Sequence, residues 1–278
     1  MKVIVLGTAA GGGFPQWNCA CPRCQAVTTP RTQDCIAVSS TGRDWWLVNV
    51  SPDIRVQIIG QPLLAAGPGP RETPIRGALL TDAELDHTAG LLMLREATEF
   101  RVWAPALSAL EPIRAIIDSY HQWTWAVPPN EFELDGLRYQ VFGVHDKPPR
   151  YASPGPGPWA VAYRITDLTT GGVLVYAPCL REWPPAFDDF VAGAHHVLLD
   201  GTFYRTDEMS TQTGAHRDQR GMGHLPISAS LPYLSPGIHW HYTHLNNTNP
   251  LLDNDAPEWT ELRAVGADVP ADGTLLEL

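Results

Sequence analysis

Residues able to bind a metal are concentrated in the segment Asp82–His87, which carries three carboxylates and one histidine. Neighbouring carboxylates repel one another unless a cation lies among them, and carboxylate with imidazole is a ligand set for Fe(II), Mn(II) or Zn(II). The plain alternative is an acidic first turn of a helix, where Asp and Glu interact favourably with the helix dipole. We favour a metal site, because matching ligands follow later in the chain.

The matching ligands come from two further segments. Asp200 ends an apolar run that is typical of a buried strand, although Asp-Gly is also an ordinary turn pair. His244 follows the alternating segment 239–243, which is again typical of a strand. His224, which precedes a helical stretch, is held in reserve. Ends of strands are where α/β folds place chemistry, so we expect these side chains to meet on one rim.

The residue types predict one metal with mixed nitrogen and oxygen ligands. The predicted ligands are Asp86, His87, His244 and Asp200. Two histidines with one carboxylate form the facial arrangement of non-haem Fe(II) oxygenases, which leaves positions open for O₂ and substrate. A two-metal hydrolase would need a richer set of histidines. His145, Asp82 and Glu84 could supply a second metal site, so that alternative stays open.

Cysteines predict a second, separate metal. Cys19, Cys21 and Cys24 form the pattern C-x-C-x₂-C, which gathers three soft thiolates in one short loop and suits structural Zn(II). A closed zinc site has four ligands, and the sequence does not choose among the candidates His224, His241 and Asn247. Cys35 and Cys179 lie outside the cluster, and we expect both to be small buried core residues.

Short apolar runs bounded by polar turns predict the strands that would position these residues. The predicted strands include Val3–Leu6, Trp45–Val50, Gly77–Leu80, Leu137–Val141, Ala160–Ile165 and Gly172–Ala177. Helices are predicted over Ile54–Ile59, with Asp53 as its cap, and over Ala89–Ala97. Strands that alternate with helices predict an α/β sandwich, and we expect one domain over residues 1–278.

Composition excludes several functions. The net charge of −11 and the presence of only two lysines argue against nucleic acid or an anionic membrane as a partner. The N-terminus lacks the long apolar core of a signal peptide, and no stretch reaches the ~20 apolar residues of a membrane span. Five cysteines, of which three are clustered, favour metal binding in a reducing compartment over disulfides. We therefore expect a cytoplasmic protein.

The acidic segment resembles the His-x-His-x-Asp-His motif of the metallo-β-lactamase fold, with Asp82 and Glu84 in place of the first two histidines. The chain as a whole more closely resembles the PqqB family of pyrroloquinoline quinone (PQQ) biosynthesis. The segments that carry this resemblance are Leu6–Cys21, Asn49–Arg55, Asp86–Leu92, Gly223–Leu225 and His244–Pro250. Residues 103–158 match the PqqB family less well, and this stretch is shorter than the corresponding stretch of the family.

The resemblance implies a metallo-β-lactamase-like four-layer αβ/βα sandwich and a non-haem iron hydroxylase. Such an enzyme would use O₂ to hydroxylate a tyrosine in a small Glu–Tyr-derived substrate, or in a similar tyrosine-bearing peptide product. It further implies that Asp86, His87 and His244 hold Fe(II), that Asp200 lies near it, and that the cysteine loop holds structural Zn(II). A two-metal phosphodiesterase or esterase and a non-catalytic quinone carrier are the alternatives, and a homodimer is left open.

Overall fold

The computed structural model describes residues 1–153, 155–213 and 219–278. The first of its two sheets contains β1 (Lys2–Gly7), β2 (Cys35–Ser39), β3 (Trp45–Val48), β4 (Ile75–Leu79), β5 (Arg101–Trp103), β6 (Thr124–Ala126) and β14 (Thr274–Glu277). Their order is β14-β1-β2-β3-β4-β5-β6. Strands β3 to β6 run parallel, whereas β14, β1, β2 and β3 pair antiparallel. The parallel part of this sheet leads into the acidic segment.

The second sheet contains β7 (Glu131–Leu134), β8 (Leu137–His145), β9 (Ala160–Asp167), β10 (Val173–Ala177), β11 (His196–Asp200), β12 (His239–Thr243) and β13 (Ala267–Asp268). Their order is β13-β12-β11-β10-β9-β8-β7. Strands β10 to β13 run parallel, and β7 to β10 pair antiparallel. The carboxyl ends of β10, β11 and β12 therefore lie along one edge.

The helices of the described residues are short. The α-helices are α1 (Pro22–Gln25), α2 (Ile54–Ile59), α3 (Leu85–Thr88), α4 (Glu111–Ile117), α5 (Phe187–Val191), α6 (Glu208–Thr213), α7 (Gln219–Met222), α8 (Ile227–Ser230) and α9 (Glu258–Ala264). Single 3₁₀ turns cover Pro62–Leu64, Ala89–Leu94, Leu107–Leu110, Leu231–Tyr233 and Pro250–Leu252. Within the described residues, no helix has the length and apolar character needed to cross a membrane.

The central strands of both sheets bury both of their faces, which produces layers. In β1, Val3 and Val5 pack between the two sheets, whereas Ile4 and Leu6 pack in the core that lies against the helices of the first sheet. Strand β10 alternates in the same way between the inner core and the core formed with the helices of the second sheet. This period of two is what places successive side chains on opposite faces. The order of layers is helices, sheet, sheet, helices, which confirms the predicted four-layer αβ/βα sandwich.

The helix predicted over Ala89–Ala97 is wrong in type and extent. The chain instead forms the short helix α3 and then a 3₁₀ turn over Ala89–Leu94. Gly90 explains the tight turn: its N–H donates to the Val50 carbonyl at 3.0 Å, and a Cβ at this position would lie 2.0 Å from the Ser51 carbonyl oxygen. Close packing of this backbone against the end of β3 overrides the helical pattern of the sequence.

The predicted cap of α2 is also wrong. The helix covers Ile54–Ile59 as expected, but the Asp53 side chain does not bond to its first turn. Its Oδ2 accepts hydrogen bonds from the backbone N–H and the side-chain amide of Gln33, at 2.9 and 3.1 Å. Asp53 therefore ties the helix to the loop that precedes β2 rather than capping it.

Candidate metal centre

The topology brings distant residues to one rim. Strands β10, β11 and β12 run parallel, and each is followed or ended by a residue with a metal-binding side chain. Cys179 lies two residues after β10, Asp200 is the last residue of β11, and His244 directly follows β12. From the first sheet, β4 ends just before the segment Asp82–His87, which faces the same rim. Parallel pairing aligns the strand ends within each sheet, and the packing of the two sheets brings together Asp86 and His244, which are 158 residues apart in the chain.

His87 is held by Asp82. The Nδ1–H of His87 donates to the Asp82 carboxylate, 2.8 Å from Oδ2, and both side chains are almost fully buried. The other ring nitrogen, Nε2, is buried and has no hydrogen-bond partner among the described residues. A histidine that donates one N–H to a carboxylate and presents its second nitrogen is the usual arrangement of a metal ligand. This orphaned Nε2 fits a metal.

Charges at the rim act strongly on His87. Burial alone would lower its pKa, but the carboxylates of Asp82 and Asp86 outweigh burial and raise the pKa of His87 to about 10. Burial likewise opposes the charge of Asp86, yet His87 and His244 hold the pKa of that carboxyl well below its usual range. In the metal-free protein, the His87 imidazolium therefore provides the positive charge that the clustered acids require. A metal must displace its proton.

Metal binding at the rim should therefore strengthen as the pH rises. A ligand with a pKa near 10 is protonated throughout pH 6–8, so the loss of this one proton predicts an affinity gain of about tenfold per pH unit. Calorimetric titration in buffers of different ionisation enthalpy measures the protons released. Asp82→Asn is expected to lower the pKa of His87 and flatten this dependence. An affinity that is independent of pH would contradict the assigned role of His87.

His244 completes the pair of histidines. Its Nε2 lies 3.2 Å from Oδ2 of Asp86, and its ring centroid lies 5.0 Å from that of His87. Ligands about 2.1 Å from one metal lie about 3 Å apart when they subtend a right angle, so Asp86 and His244 have the spacing of adjacent ligands. His244 has a φ of 60°, a left-handed backbone conformation that is uncommon for residues other than glycine. Such a conformation often marks a functional position.

Asp200 and His224 form a second pair beside His244. The Nδ1 of His224 bonds to Oδ2 of Asp200 at 2.8 Å, and the same oxygen accepts the Leu180 N–H at 2.7 Å. The Thr202 hydroxyl lies 2.8 Å from Nδ1 of His244 and 3.0 Å from Nδ1 of His224. Asp200 therefore fixes the orientation of His224. Potential ligand atoms of Asp200, His224 and His244 all lie within 4.8 Å of one another.

A cavity of about 380 Å³ opens over this rim, a size suited to a small-molecule ligand. Four of the five predicted site residues line it, namely Asp86, His87, His224 and His244. Asp200 does not line it and lies behind, bonded to His224. The glycine-rich loop approaches closely, since a Cβ on Gly11 would lie 3.0 Å from Oδ2 of Asp86. The structure thus brings the predicted residues together, and their role as ligands remains a proposal.

Cys179 was missed by the sequence analysis, which placed it in the core. It is buried as expected, but it also lines the cavity. Its Sγ and ligand atoms of His87 and His244 all lie within 4.8 Å of one another. The signal that could have found it is its place just after an apolar strand, the same signal that marked Asp200.

The described structure does not group His145, Asp82 and Glu84 as ligands of a second metal. Among the described residues, three groups have ligand atoms close enough to share a metal, and His145, Asp82 and Glu84 are not one of them. Asp82 is engaged by His87, while Nδ1 of His145 accepts the Lys147 N–H at 3.3 Å. Glu84, His145 and Lys147 do line the cavity, where they are placed to contact a substrate.

The cysteine loop lies apart from the cavity. The three Sγ atoms of Cys19, Cys21 and Cys24 lie within 4.8 Å of one another, as a shared zinc ion requires. Of the three candidates for a fourth ligand, the structure brings only Asn247 to the thiols. Its side-chain amide lies 3.1 Å from Cys19 Sγ and 3.5 Å from Cys24 Sγ. His224 instead bonds to Asp200, and His241 bonds to Asp268 and His196. Asn247 follows His244 by three residues, so one short loop joins the two candidate metal sites.

Comparison with known proteins first defines the class. The family model of the β-lactamase superfamily domain matches residues 44–235, so the chain has the fold of that superfamily. The matched residues include the acidic segment Asp82–His87. A diphosphatase of the PhnP family has a TM-score of 0.73 at 19% identity over 100% of this chain and 97% of its own, which supports the fold alone.

Closer relatives define the family. Coenzyme PQQ synthesis protein B of Azoarcus sp. (strain BH72) is 38% identical over 310 residues, with 100% of both chains covered. The 1.98 Å crystal structure of Zn(2+)-bound PqqB from Methylobacterium extorquens has a TM-score of 0.90 at 33% identity, again with 100% of both chains covered. The chain belongs to the coenzyme PQQ synthesis protein B family.

Proposed function

We propose that this protein is an Fe(II)- and O₂-dependent hydroxylase that acts on the tyrosine ring of a small peptide-derived substrate in PQQ synthesis. The observation that carries the proposal is the grouping of His87, His244 and Asp86, in which the buried Nε2 of His87 has no partner. Two histidines and one carboxylate suit a non-haem Fe(II) site with open positions. The names of its relatives support the pathway, and the zinc-bound relative supports metal binding at a site of this family.

One metal is favoured over two by the contacts of Asp82. In this segment Asp82 and Glu84 replace the histidines that a first metal site would use, and the Asp82 carboxylate is already bonded to Nδ1 of His87. Asp82 therefore orients the proposed ligand His87 and does not itself bind a second metal. The two-metal hydrolase needs that second site, so this contact weighs against it.

In the proposed reaction, the metal would activate O₂ and the side chains of the protein would transfer protons. When bound, Fe(II) supplies the activation of O₂ at open coordination positions. The balanced reaction converts a ring C–H, O₂, two protons and two electrons from an external reductant into a ring C–OH and water. Because Asp200 holds Nδ1 of His224, Nε2 is the ring nitrogen that can give or take a proton of the substrate.

The walls of the cavity suit an aromatic substrate that carries a carboxylate. Trp159, Phe203 and Met222 line it and offer apolar surface to a phenol ring. Lys147 and Arg150 line it as well and offer positive charge. Lys147 donates to the Met222 carbonyl at 2.7 Å, which fixes its position and leaves its other N–H groups for a ligand.

Turnover of a model substrate tests the proposal. The protein is purified anaerobically and loaded with Fe(II), and O₂ consumption and DOPA formation are followed with a Glu–Tyr dipeptide and ascorbate. We expect both to depend on iron, and we expect Glu–Phe to form no DOPA. Absence of O₂ uptake, together with phosphodiester hydrolysis under Mn(II) or Zn(II), would favour the two-metal hydrolase instead.

Lys147 should contribute to substrate binding. Removing its charge with Lys147→Met is expected to raise KM for a carboxylate-bearing substrate about tenfold, since a hydrogen bond to a charged group contributes about 1.5–3 kcal/mol. Steady-state kinetics provide the measurement. The chain offers a matched control in its only other lysine, because Lys2→Met alters a surface residue beside Glu277 and should leave KM unchanged. Equal KM values for both variants would remove Lys147 from the substrate site.

A further inference from the structure

We propose that Cys179 is a direct ligand of the rim metal and binds it through Sγ together with His87 and His244. This inference rests on the proposed presence of a metal at the rim, and it adds a thiolate to a ligand set that otherwise contains only nitrogen and oxygen. The sequence suggested a core residue, so the proposal depends on where the fold places this side chain.

The geometry of the three side chains fits a shared ion. Their ligand atoms lie within 4.8 Å of one another, and the residues are 1%, 8% and 3% exposed for His87, Cys179 and His244. Metal–nitrogen bonds of about 2.1 Å and metal–sulfur bonds of about 2.3 Å put neighbouring ligand atoms about 3.3–3.8 Å apart. The upper limit of 4.8 Å on these separations is therefore compatible with three ligands that bind one metal.

A second observation points to the same place. Nε2 of His87 is buried and has no hydrogen-bond partner in the described part of the chain. A buried polar atom without a partner costs free energy, and native proteins rarely tolerate one without a ligand or water. The thiol of Cys179 and the imidazole of His87 belong to one group of potential ligands, and a single metal bound to Nε2 and Sγ would satisfy both.

The backbone holds Cys179 at the rim. It follows β10 by two residues, and β10 pairs in parallel with β11, which ends at Asp200. The N–H of the next residue, Leu180, donates to Oδ2 of Asp200 at 2.7 Å and so fixes the turn in which Cys179 lies. The thiol therefore occupies the same edge position on β10 that His244 occupies on β12.

Cys35 shows how a core cysteine of this chain differs. It is also buried, but its Sγ donates to the Asn49 carbonyl at 3.1 Å, and it lies in the core beneath the helices of the first sheet. Cys179 lines the cavity and shares a group of ligand atoms with two histidines, whereas Cys35 belongs to no such group among the described residues. Burial alone does not separate the two cysteines, but their neighbours do.

Coordination requires the thiolate form. In the metal-free protein, burial and the nearby carboxylates, Asp82 first among them, raise the pKa of Cys179 well above its usual range, so the thiol is neutral. A bound metal deprotonates a coordinating thiol outright. The S–H proton leaves to solvent and a metal–sulfur bond forms, with no change in the oxidation state of sulfur or iron.

X-ray absorption at the iron edge tests the assignment independently of activity. The cysteine loop is kept filled with zinc, Fe(II) is added anaerobically, and the iron spectrum then reports only on the rim. We expect a sulfur neighbour at about 2.3 Å in the unaltered protein and in Cys35→Ser. We expect Cys179→Ser to lose that sulfur neighbour and at least about tenfold in iron affinity.

Each outcome decides the question. An iron site with only nitrogen and oxygen neighbours in the unaltered protein would overturn the proposal, as would a sulfur neighbour that persists in Cys179→Ser. If the rim takes up no iron, the proposed hydroxylase fails, and the same comparison with Co(II) still decides the ligand. A thiolate-to-cobalt absorption that His87→Ala and Cys179→Ser both remove would support Cys179, and its absence in the zinc-filled, unaltered protein would overturn it.

Discussion

His87→Ala should abolish iron binding at the rim and leave zinc in the cysteine loop. The substitution removes the buried Nε2 that has no protein partner, and it leaves the Asp82 carboxylate buried without its main contact. Changes that only reorient a ligand cost 10–100-fold in affinity or activity, so loss of the ligand itself should lower hydroxylation by more than about 100-fold. Metal analysis after anaerobic loading measures both metals in one sample.

The control for this variant is His239→Ala. His239 is exposed and begins β12, so it lies at the opposite end of the strand from His244. Its iron and zinc contents should match those of the unaltered protein. Loss of both metals from His87→Ala would contradict the account, because it would mean that the rim and the cysteine loop are not two separate metal sites.

Cys21→Ser should remove the zinc and destabilise the fold. Cys21 is the buried member of the three thiols, and hydrogen bonds from its neighbours in the loop outweigh burial and lower its pKa, which favours the thiolate. Structural zinc in small zinc-finger domains contributes about 10–16 kcal/mol at neutral pH, and each kcal/mol shifts Tm by about 2–4 °C in a chain approaching this size. Even a fraction of that energy predicts a fall in Tm of about 10 °C or more.

A chelator provides the matched comparison for the zinc site. Stripping zinc from the unaltered protein should lower Tm by a similar amount, and the same treatment should change the Tm of Cys21→Ser little. Because Asn247 contacts the thiols and lies three residues after His244, loss of zinc should also weaken iron binding at the rim. An unchanged Tm with zinc retained in Cys21→Ser would exclude Cys21 as a ligand.

Local sequence was enough to predict many of the strands and which residues gather at the rim. Acids and a histidine after an apolar run marked Asp86 and His87, and alternation over 239–243 placed His244 at the end of a strand. The structure brings these residues together, and the sequence could mark them because they lie near strand ends, where the change from apolar to polar residues is visible. Strands that alternate with helices predicted an α/β sandwich, and the resemblance to the metallo-β-lactamase fold implied its four layers.

Contacts between distant segments could not be predicted from the sequence. Cys179 follows an apolar strand, but the sequence does not show what lies beside it. The pairing of β10 with β11 and of β11 with β12 brings it to His244, and the packing of the two sheets brings it to His87. The sequence likewise could not show that Asn247, rather than His224 or His241, lies beside the cysteine loop. This depends on a contact between Asn247 and Cys19, which are 228 residues apart in the chain. The 3₁₀ turn at Ala89–Leu94 depends on the close approach of Gly90 to the end of β3.

Oxygen isotope labelling tests the central claim most directly. The Fe(II)-loaded protein is given Glu–Tyr dipeptide and ascorbate under ¹⁸O₂ in unlabelled water, and the product is analysed by mass spectrometry. A single iron that activates O₂ predicts a catechol with one oxygen from ¹⁸O₂, and His87→Ala should form none. A product whose new oxygen comes from water, or no hydroxylated product alongside phosphodiester hydrolysis under Zn(II) or Mn(II), would contradict the proposed function.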